Sequence, residues 1–282
     1  MANGIGGDID RLVAEQHGMV STAQLRAAGV TRGQTRWRVD RGVWRPVLRG
    51  VLTVTTGPLT REALREAALL AAGGGSALSH HTAAEVWGFD EAIVGRQEQL
   101  HVTKAIGRSG RRRPPGEVTR PTRPFGPSLV EGTALHPGVV VHRSKAIRNI
   151  VVRADQPVVS SSDTVIDLAA GAASAREAHS LVLRLCTTRP VRLDEVRRRV
   201  ELRTPWRHVE PIRQALETVA GGVASVLEAD FVILVEKPFG LPAPTRQVPV
   251  TVDGVVRYED LVYDCPGGRL IVRLDGKRFH LA

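Results

Sequence analysis

"STAQLRAAGVTRGQTRWRVDRGVWRPVLRGVLTVT", residues 21–55, decides how this chain folds at its N-terminal end. Ser21 or Thr22 caps a short helix that Gly29 closes from the C′ position, and Thr31 caps a second helix that stops at Gly42. Residues 43–55 are rich in Val and Leu around Gly50, which predicts two short strands joined by a turn. Upstream, "DIDRLVAEQH" sets Ile9, Leu12 and Val13 at i, i+3, i+4, the stripe of an amphipathic helix that Asp8 can cap. Helix, helix, helix, hairpin is the element order of a winged helix-turn-helix.

In that arrangement the third helix enters a DNA major groove. It carries Arg32, Gln34, Arg36, Arg38 and Arg41, and the hairpin adds Arg45 and Arg49, with Asp40 as the one acid among them. Arginine and glutamine offer the paired donors and acceptors that match guanine and adenine edges, and further arginines hold phosphates. The plain alternative is a solvated basic face on a small packing domain. Trp37 and Val39 differ by about 200° around the helix, so they cannot share one core. The preferred phase turns Val39 and Thr35 inward and leaves Trp37 on the groove side or against the hairpin.

The charge distribution supports this placement. Of the formal +10, the residues from Val223 onward contribute 7 basic against 8 acidic side chains, leaving +11 to the preceding 222 residues. A polyanion would therefore meet the N-terminal part. There is no run of apolar residues long enough for a membrane span, and "MANGIGGDID" lacks the basic start and apolar core of a signal peptide, so the expected compartment is the cytoplasm. Cys186 and Cys265 form no CxxC pair and read as two buried thiols.

The middle of the chain reads as mixed helix and strand. "LTREALREAALLAA", 59–72, is rich in helix formers, but Glu62 and Arg65 at i, i+3 are offset by the like-charge neighbours Arg61 with Arg65 and Glu62 with Glu66, so burial must hold it. A glycine break then leads to a capped helix over "LSHHTAAEVWG". The pair His80, His81 invites a metal reading, yet adjacent helix positions diverge by about 100° and only Glu85 recurs four after His81. Packing or capping is the expectation, with no metal. "QEQLHVTKA" and "GVVVHRSKAI" are strand-like. Between them Arg108, Arg111, Arg112, Arg113, Arg120 and Arg123 lie among prolines and glycines, a mobile loop from Gly107 to Pro127 that either follows a DNA backbone or is a soluble excursion. "PVVSSSDTVIDLAAGAASAREAHSLVLRLC" gives a strand, a cap at Ser162 or Asp163 and two apolar helices, "RPVRLDEVRRRVELR" a short basic helix, and "TPWRHVEPIRQALETVAGG" closes the middle region.

The last 60 residues differ in character. A helix carrying Glu228 precedes hairpin strands with Asp260, and "GGRLIVRLDGKRFHLA" alternates Leu270, Val272 and Leu274 with Ile271, Arg273 and Asp275 before His280.

Taken together, "MVSTAQLRAAGVTRGQTRWRVDRGVWRPVLRGVLTV", "ALSHHTAAEVWGF", "VVVHRSKAI" and "PVVSSSDTVIDLAA" resemble actinobacterial proteins with an AbiEi-type antitoxin domain of the type IV toxin-antitoxin class. The resemblance implies a winged helix that binds double-stranded DNA for operon autoregulation, and a cognate toxin as protein partner. From "SVLEADF" to "RLDGKRFH" the chain is similar to the opening half of a restriction-endonuclease-like domain related to very-short-patch repair nucleases. That resemblance would make Glu228, Asp260, Asp275 and His280 the remains of a Mg²⁺ site. The family's central glutamate is Arg273 here, which cannot ligate a cation, and the chain ends at Ala282 before the remaining elements. The expectation is a degenerate site without catalysis, Arg273 pairing with those acids, and no cofactor. A metal-dependent DNA endonuclease targeted by the winged helix is the alternative.

The predicted fold class is therefore mixed α/β: a winged helix over 1–55, an antitoxin-like α/β middle domain over 56–221 and a partial endonuclease-like segment over 222–282.

Overall fold

The computed structural model describes residues 7–105, 122–125, 128–130, 133–144, 148–187, 191–203, 207–221, 226–236 and 238–274. The chain is a mixed α/β protein with helices and several sheets. It opens with α1 (Gly7–Glu15), β1 (Met19–Ser21), α2 (Thr22–Ala27), α3 (Arg32–Asp40), β2 (Arg45–Leu48) and β3 (Val51–Thr53). The three strands form one sheet in the order β1-β3-β2. Asp8 lies inside the first turn of α1 and not before it, because the helix already starts at Gly7. The strand β1 extends the expected hairpin by pairing Met19 with Thr53 and Ser21 with Val51.

Alternation along these strands gives the sheet two buried faces. Val20 and Leu52 join Ile9, Leu25, Val30 and Trp44 in a small core beneath α1 to α3. Met19, Val47, Leu48 and Val51 point the other way, into a larger core with Ala63, Ala67, Ala68 and Leu69 of α4 (Arg61–Ala72). That larger core therefore runs through residue 55 without a gap. Gly50, at φ +81 in the β2–β3 turn, brings its carbonyl to 2.8 Å from the Thr22 N–H, a backbone conformation that a side chain would strain.

After α4 come β4 (Ser76–Leu78), α5 (His80–Trp87), α6 (Glu91–Val94), β5 (Leu100–Ala105), β6 (Thr122–Phe125), β7 (Ser128–Val130), β8 (Thr133–His136), β9 (Val139–Ser144), β10 (Ile150–Arg153) and β11 (Gln156–Val159). Six of these strands build the central mixed sheet, β10-β11-β4-β5-β9-β6, while β7 and β8 pair as a separate hairpin. Parallel pairs join β11 to β4 and β5 to β9. Arg123 lies in β6, antiparallel to β9, so the expected loop gives way to strand over 122–125. Its other arginines, Arg108, Arg111, Arg112, Arg113 and Arg120, lie outside the described residues.

A helical layer follows: α7 (Ser161–Gly171), α8 (Ala175–Cys186), α9 (Leu193–Arg203) and α10 (Val209–Ala220), packed through Val165, Ile166, Leu183, Leu185, Val196, Ile212 and Leu216. The cap of α7 is Ser160, whose Oγ accepts from the Asp163 N–H at 3.2 Å and donates to the Asp163 carboxylate at 3.2 Å; Asp163 itself sits one turn inside the helix. This interior holds a buried ionic network. Asp163 receives Arg199 and Arg203 at 2.9 and 2.8 Å, and Asp167 receives Arg148 at 3.0 Å and Arg203 as well. The surrounding guanidinium groups hold the Asp167 carboxyl far below the usual carboxylate range against the opposing effect of its burial.

The C-terminal part has α11 (Val226–Phe231), a π-helical turn (Val232–Glu236) and a three-stranded antiparallel sheet of β12 (Thr245–Val252), β13 (Val255–Cys265) and β14 (Gly268–Val272). Of the two thiols, Cys186 is buried and Cys265 is exposed, because Cys265 closes β13 at the tight turn where it pairs with Gly268. Among the described residues no helix is long and apolar enough to cross a membrane.

Candidate nucleic-acid interface

The start of α3 is fixed by a reciprocal capping box. The Gln34 N–H donates to Thr31 Oγ1 at 3.2 Å, and the Thr31 N–H donates to Gln34 Oε1 at 2.9 Å. Two otherwise orphaned helix donors are thereby satisfied. Gln34, picked from the sequence as a base reader, thus has its amide oxygen engaged within the helix start. A bidentate contact to adenine would need that oxygen released.

The inward stripe of α3 is Thr35, Arg38 and Val39. Val39 packs on the small core, and the Arg38 guanidinium lies 5.0 Å above the buried Trp44 ring. Trp37 is 45% exposed and is covered by Arg41, whose guanidinium sits 4.6 Å from the ring centroid. Such a stack orders the arginine without neutralising it. Trp37, Arg38 and Trp44 also line a cavity of about 230 Å³ closed by Ile9 and Val13 of α1.

The seven residues singled out from the sequence therefore take different positions. Arg32, Arg36, Arg41 and Arg49 are exposed, and Arg36 makes only a long, solvent-exposed 3.6 Å pair with Asp40. Arg38 leans on Trp44. Arg45 reaches back to donate to the carbonyls of Thr55 at 2.7 Å and Gly57 at 2.6 Å, tying the end of β3 and the following linker together. The exposed Arg36–Asp40 pair contributes little to stability. What the arrangement offers is a basic surface, α3 and the β2–β3 turn, on a framework whose opposite side is apolar and packed.

The C-terminal acids are arranged differently. The Arg273 guanidinium is bidentate on Glu259, with contacts of 2.7 and 2.6 Å, and holds the Glu259 carboxyl below its ordinary value. The expected partners were Glu228, Asp260 and Asp275. Consecutive strand residues face opposite ways, so an arginine on Glu259 is turned from the side that Asp260 occupies. Asp260 accepts from the Leu274 N–H at 2.8 Å and from Gln247 Nε2 at 3.4 Å. Glu228 is buried, as is Glu236, which Arg246 and the Tyr263 hydroxyl bind at 2.8 and 2.7 Å. Asp275 and His280 lie outside the described residues. Among the described residues, Glu228 and Asp260 do not converge with a third ligand into a cation cage. Of the four candidates only Glu228 and Asp260 are described, and no catalytic step is derived from them.

Against known families, residues 8–55 match the model described as transcriptional regulator, AbiEi antitoxin. This covers α1 through β3 and bears on the N-terminal segment alone. No curated protein matches the chain.

Proposed function

We propose that this chain is a DNA-binding transcriptional regulator of the AbiEi antitoxin kind, in which residues 7–55 act as a winged helix-turn-helix and autoregulate the operon that encodes it. The observation that carries the proposal is the exposure of Arg32, Arg36 and Arg41 on α3, within the residues that match the antitoxin-regulator family. In this mechanism α3 lies in the major groove of duplex DNA with Arg32 and Arg36 at base edges or phosphates, and Arg49 on the β2–β3 turn reaches the flanking backbone. Arg38 and Arg45 serve mainly by holding α3 and the strands in place, given their contacts to Trp44, Thr55 and Gly57. The rest of the α/β body is the surface available to a cognate toxin, the protein partner that this function implies.

The test is binding of the full chain to duplex DNA from upstream of its own reading frame, measured across a salt series without divalent cations. Binding that weakens steeply with salt, loses roughly 0.9 of log–log slope for each phosphate contact removed, and leaves the DNA intact when Mg²⁺ is added is the expected result. Absence of binding to that DNA at low salt would sink the proposal. Cleavage in Mg²⁺ that disappears in Asp260→Ala would replace it with the endonuclease reading.

A further inference from the structure

A cluster of three histidines lies outside the arginine face. His80 opens α5, His101 lies on β5 and His142 on β9. The parallel register pairs His101 with Val140 and Thr103 with His142, so the two histidines emerge on one face of neighbouring strands. Leu100, Val102, Val139 and Val141 fill the other face inside the larger core. The start of α5 is then placed over the histidine face by two bonds to β5: the His101 N–H donates to Thr82 Oγ1 at 2.8 Å and the Ser79 N–H to the His101 carbonyl at 3.0 Å. As a result one ring nitrogen from each of the three histidines lies within 4.8 Å of those of the other two.

Several details show that these rings are positioned. Ser79 precedes α5 in the N-cap position but makes no side-chain cap; its Oγ lies 3.0 Å from His80 Nδ1 instead. His80 itself has φ +50, a conformation that a side chain adopts only when its surroundings impose it. Behind it, Asp167 Oδ2 stands 3.9 Å from His80 Nδ1, fixed in turn by Arg148 and Arg203. A carboxylate behind an imidazole is the usual device for orienting a metal-bound histidine. His101 Nδ1 and His142 Nε2 share one hydrogen bond of 2.9 Å. The neighbouring His81 ring is 5.4 Å from His101, has a buried Nδ1 without a hydrogen-bond partner, and lines a cavity of about 490 Å³ beside the cluster.

We propose that His80, His101 and His142 form a site for a divalent first-row transition-metal ion, Zn²⁺ in the first instance, with a fourth position open to water. Three imidazoles without a carboxylate or thiolate suit Zn²⁺, Co²⁺, Ni²⁺ or Cu²⁺ and disfavour Mg²⁺ and Ca²⁺. Tetrahedral Zn²⁺ with bonds of about 2.0–2.1 Å holds its nitrogens about 3.4 Å apart, so the widest edge closes by at most about 1.4 Å, and the His80 ring, stacked on His142 at 3.6 Å with planes 16° apart, has to turn before their lone pairs meet at one ion. Binding moves the proton between His101 and His142 to an outward nitrogen of the same rings and needs no net proton loss. The bound ion would clamp α5 to β5 and β9.

The full chain, stripped with chelator, is titrated with Zn²⁺ and with Co²⁺ as a spectroscopic stand-in. One ion per chain, a tetrahedral Co²⁺ absorption band that Zn²⁺ displaces, and a raised Tm are expected. His101→Ala and His142→Ala should each weaken binding at least about 100-fold, while His17→Ala leaves it unchanged. Should these variants fail to fold, the Zn²⁺ X-ray absorption spectrum of the unaltered chain decides, with three imidazole ligands expected. No Tm shift and no stoichiometric binding in the folded chain, unchanged affinity in folded His101→Ala and His142→Ala, or a shell of oxygen with at most one imidazole would each overturn the proposal.

Discussion

Arginine serves two opposed purposes in this molecule, and the contrast lies between α3 and the interior behind α7. On α3, Arg32, Arg36 and Arg41 face water, with the Arg36–Asp40 pair at 3.6 Å, so their charge stays at the surface. Behind α7, Arg148, Arg199 and Arg203 are buried with Asp163 and Asp167, and their charge is consumed inside. The same side chain therefore adds to the surface field in one place and fixes internal geometry in the other. Net charge alone does not separate the two; burial and the count of nearby carboxylates do.

The largest expected effect tests the buried half of that contrast. Asp163→Ala removes the carboxylate that receives Arg199 and Arg203 and leaves cations in an apolar interior, so unfolding in urea should show a loss of about 3–5 kcal/mol. A loss below about 1 kcal/mol would mean that water reaches these arginines and that the contrast is one of degree.

Next comes protonation in the interior. His136 is fully buried, its Nδ1 accepting from the Gly138 N–H at 3.0 Å and its Nε2–H donating to the Leu64 carbonyl at 3.1 Å, which fixes a neutral tautomer. Burial lowers its pKa from 6.5 to about 4. Between these values the unfolded chain binds a proton that the folded chain refuses, so stability falls as pH drops from 6.5 towards 4, by up to about 1.4 kcal/mol per pH unit from this residue. Urea midpoints at pH 7 and pH 5 should therefore diverge less in His136→Gln than in the unaltered chain. Equal divergence would place the titrating group elsewhere.

Smaller again, Thr31→Ala should cost about 1 kcal/mol by opening the capping box at α3. The exposed arginines complete the series: Arg32, Arg36 and Arg41 replaced together by Gln should leave stability within about 0.5 kcal/mol while lowering the salt slope of DNA binding by roughly 0.9 per lost phosphate contact. A large stability loss with an unchanged slope would invert the comparison and make α3 a packing element.

How legible each region was follows from how local its causes are. The order of α1, α2, α3 and the hairpin could be read because caps and glycines act within a few residues: Ser21, Gly29, Thr31 and Gly42 mark the ends. The capping boxes Ser21 with Gln24 and Thr31 with Gln34 were also written in the sequence, as S-x-x-Q and T-x-x-Q. Attention to Gln34 as a base reader hid its part in the cap. By contrast β4, β10 and the strand at Thr122–Phe125 are short or lie in a polar, proline-rich context, and their pairing to partners far along the chain sets them. The histidine cluster was invisible for the same reason. A search for ligands one helical turn from His80 cannot find His101 and His142, which come from two strands brought together by a parallel register. Arg273 was expected against Asp260 because side-chain alternation was extended past Val272, where β14 ends. Beyond that point the register that would have set its direction no longer applies.

The small sheet of β1, β3 and β2 has a dynamic consequence. Because one of its faces closes the small core and the other closes the core shared with α4, pulling it away would open both at once. The amides of Leu52 and Ala67 should therefore exchange with deuterium in the same cooperative opening, at a free energy near that of global unfolding. A chain built this way couples its N-terminal segment to the body behind it mechanically: whatever tightens or loosens α4 reaches the sheet that carries the β2–β3 turn.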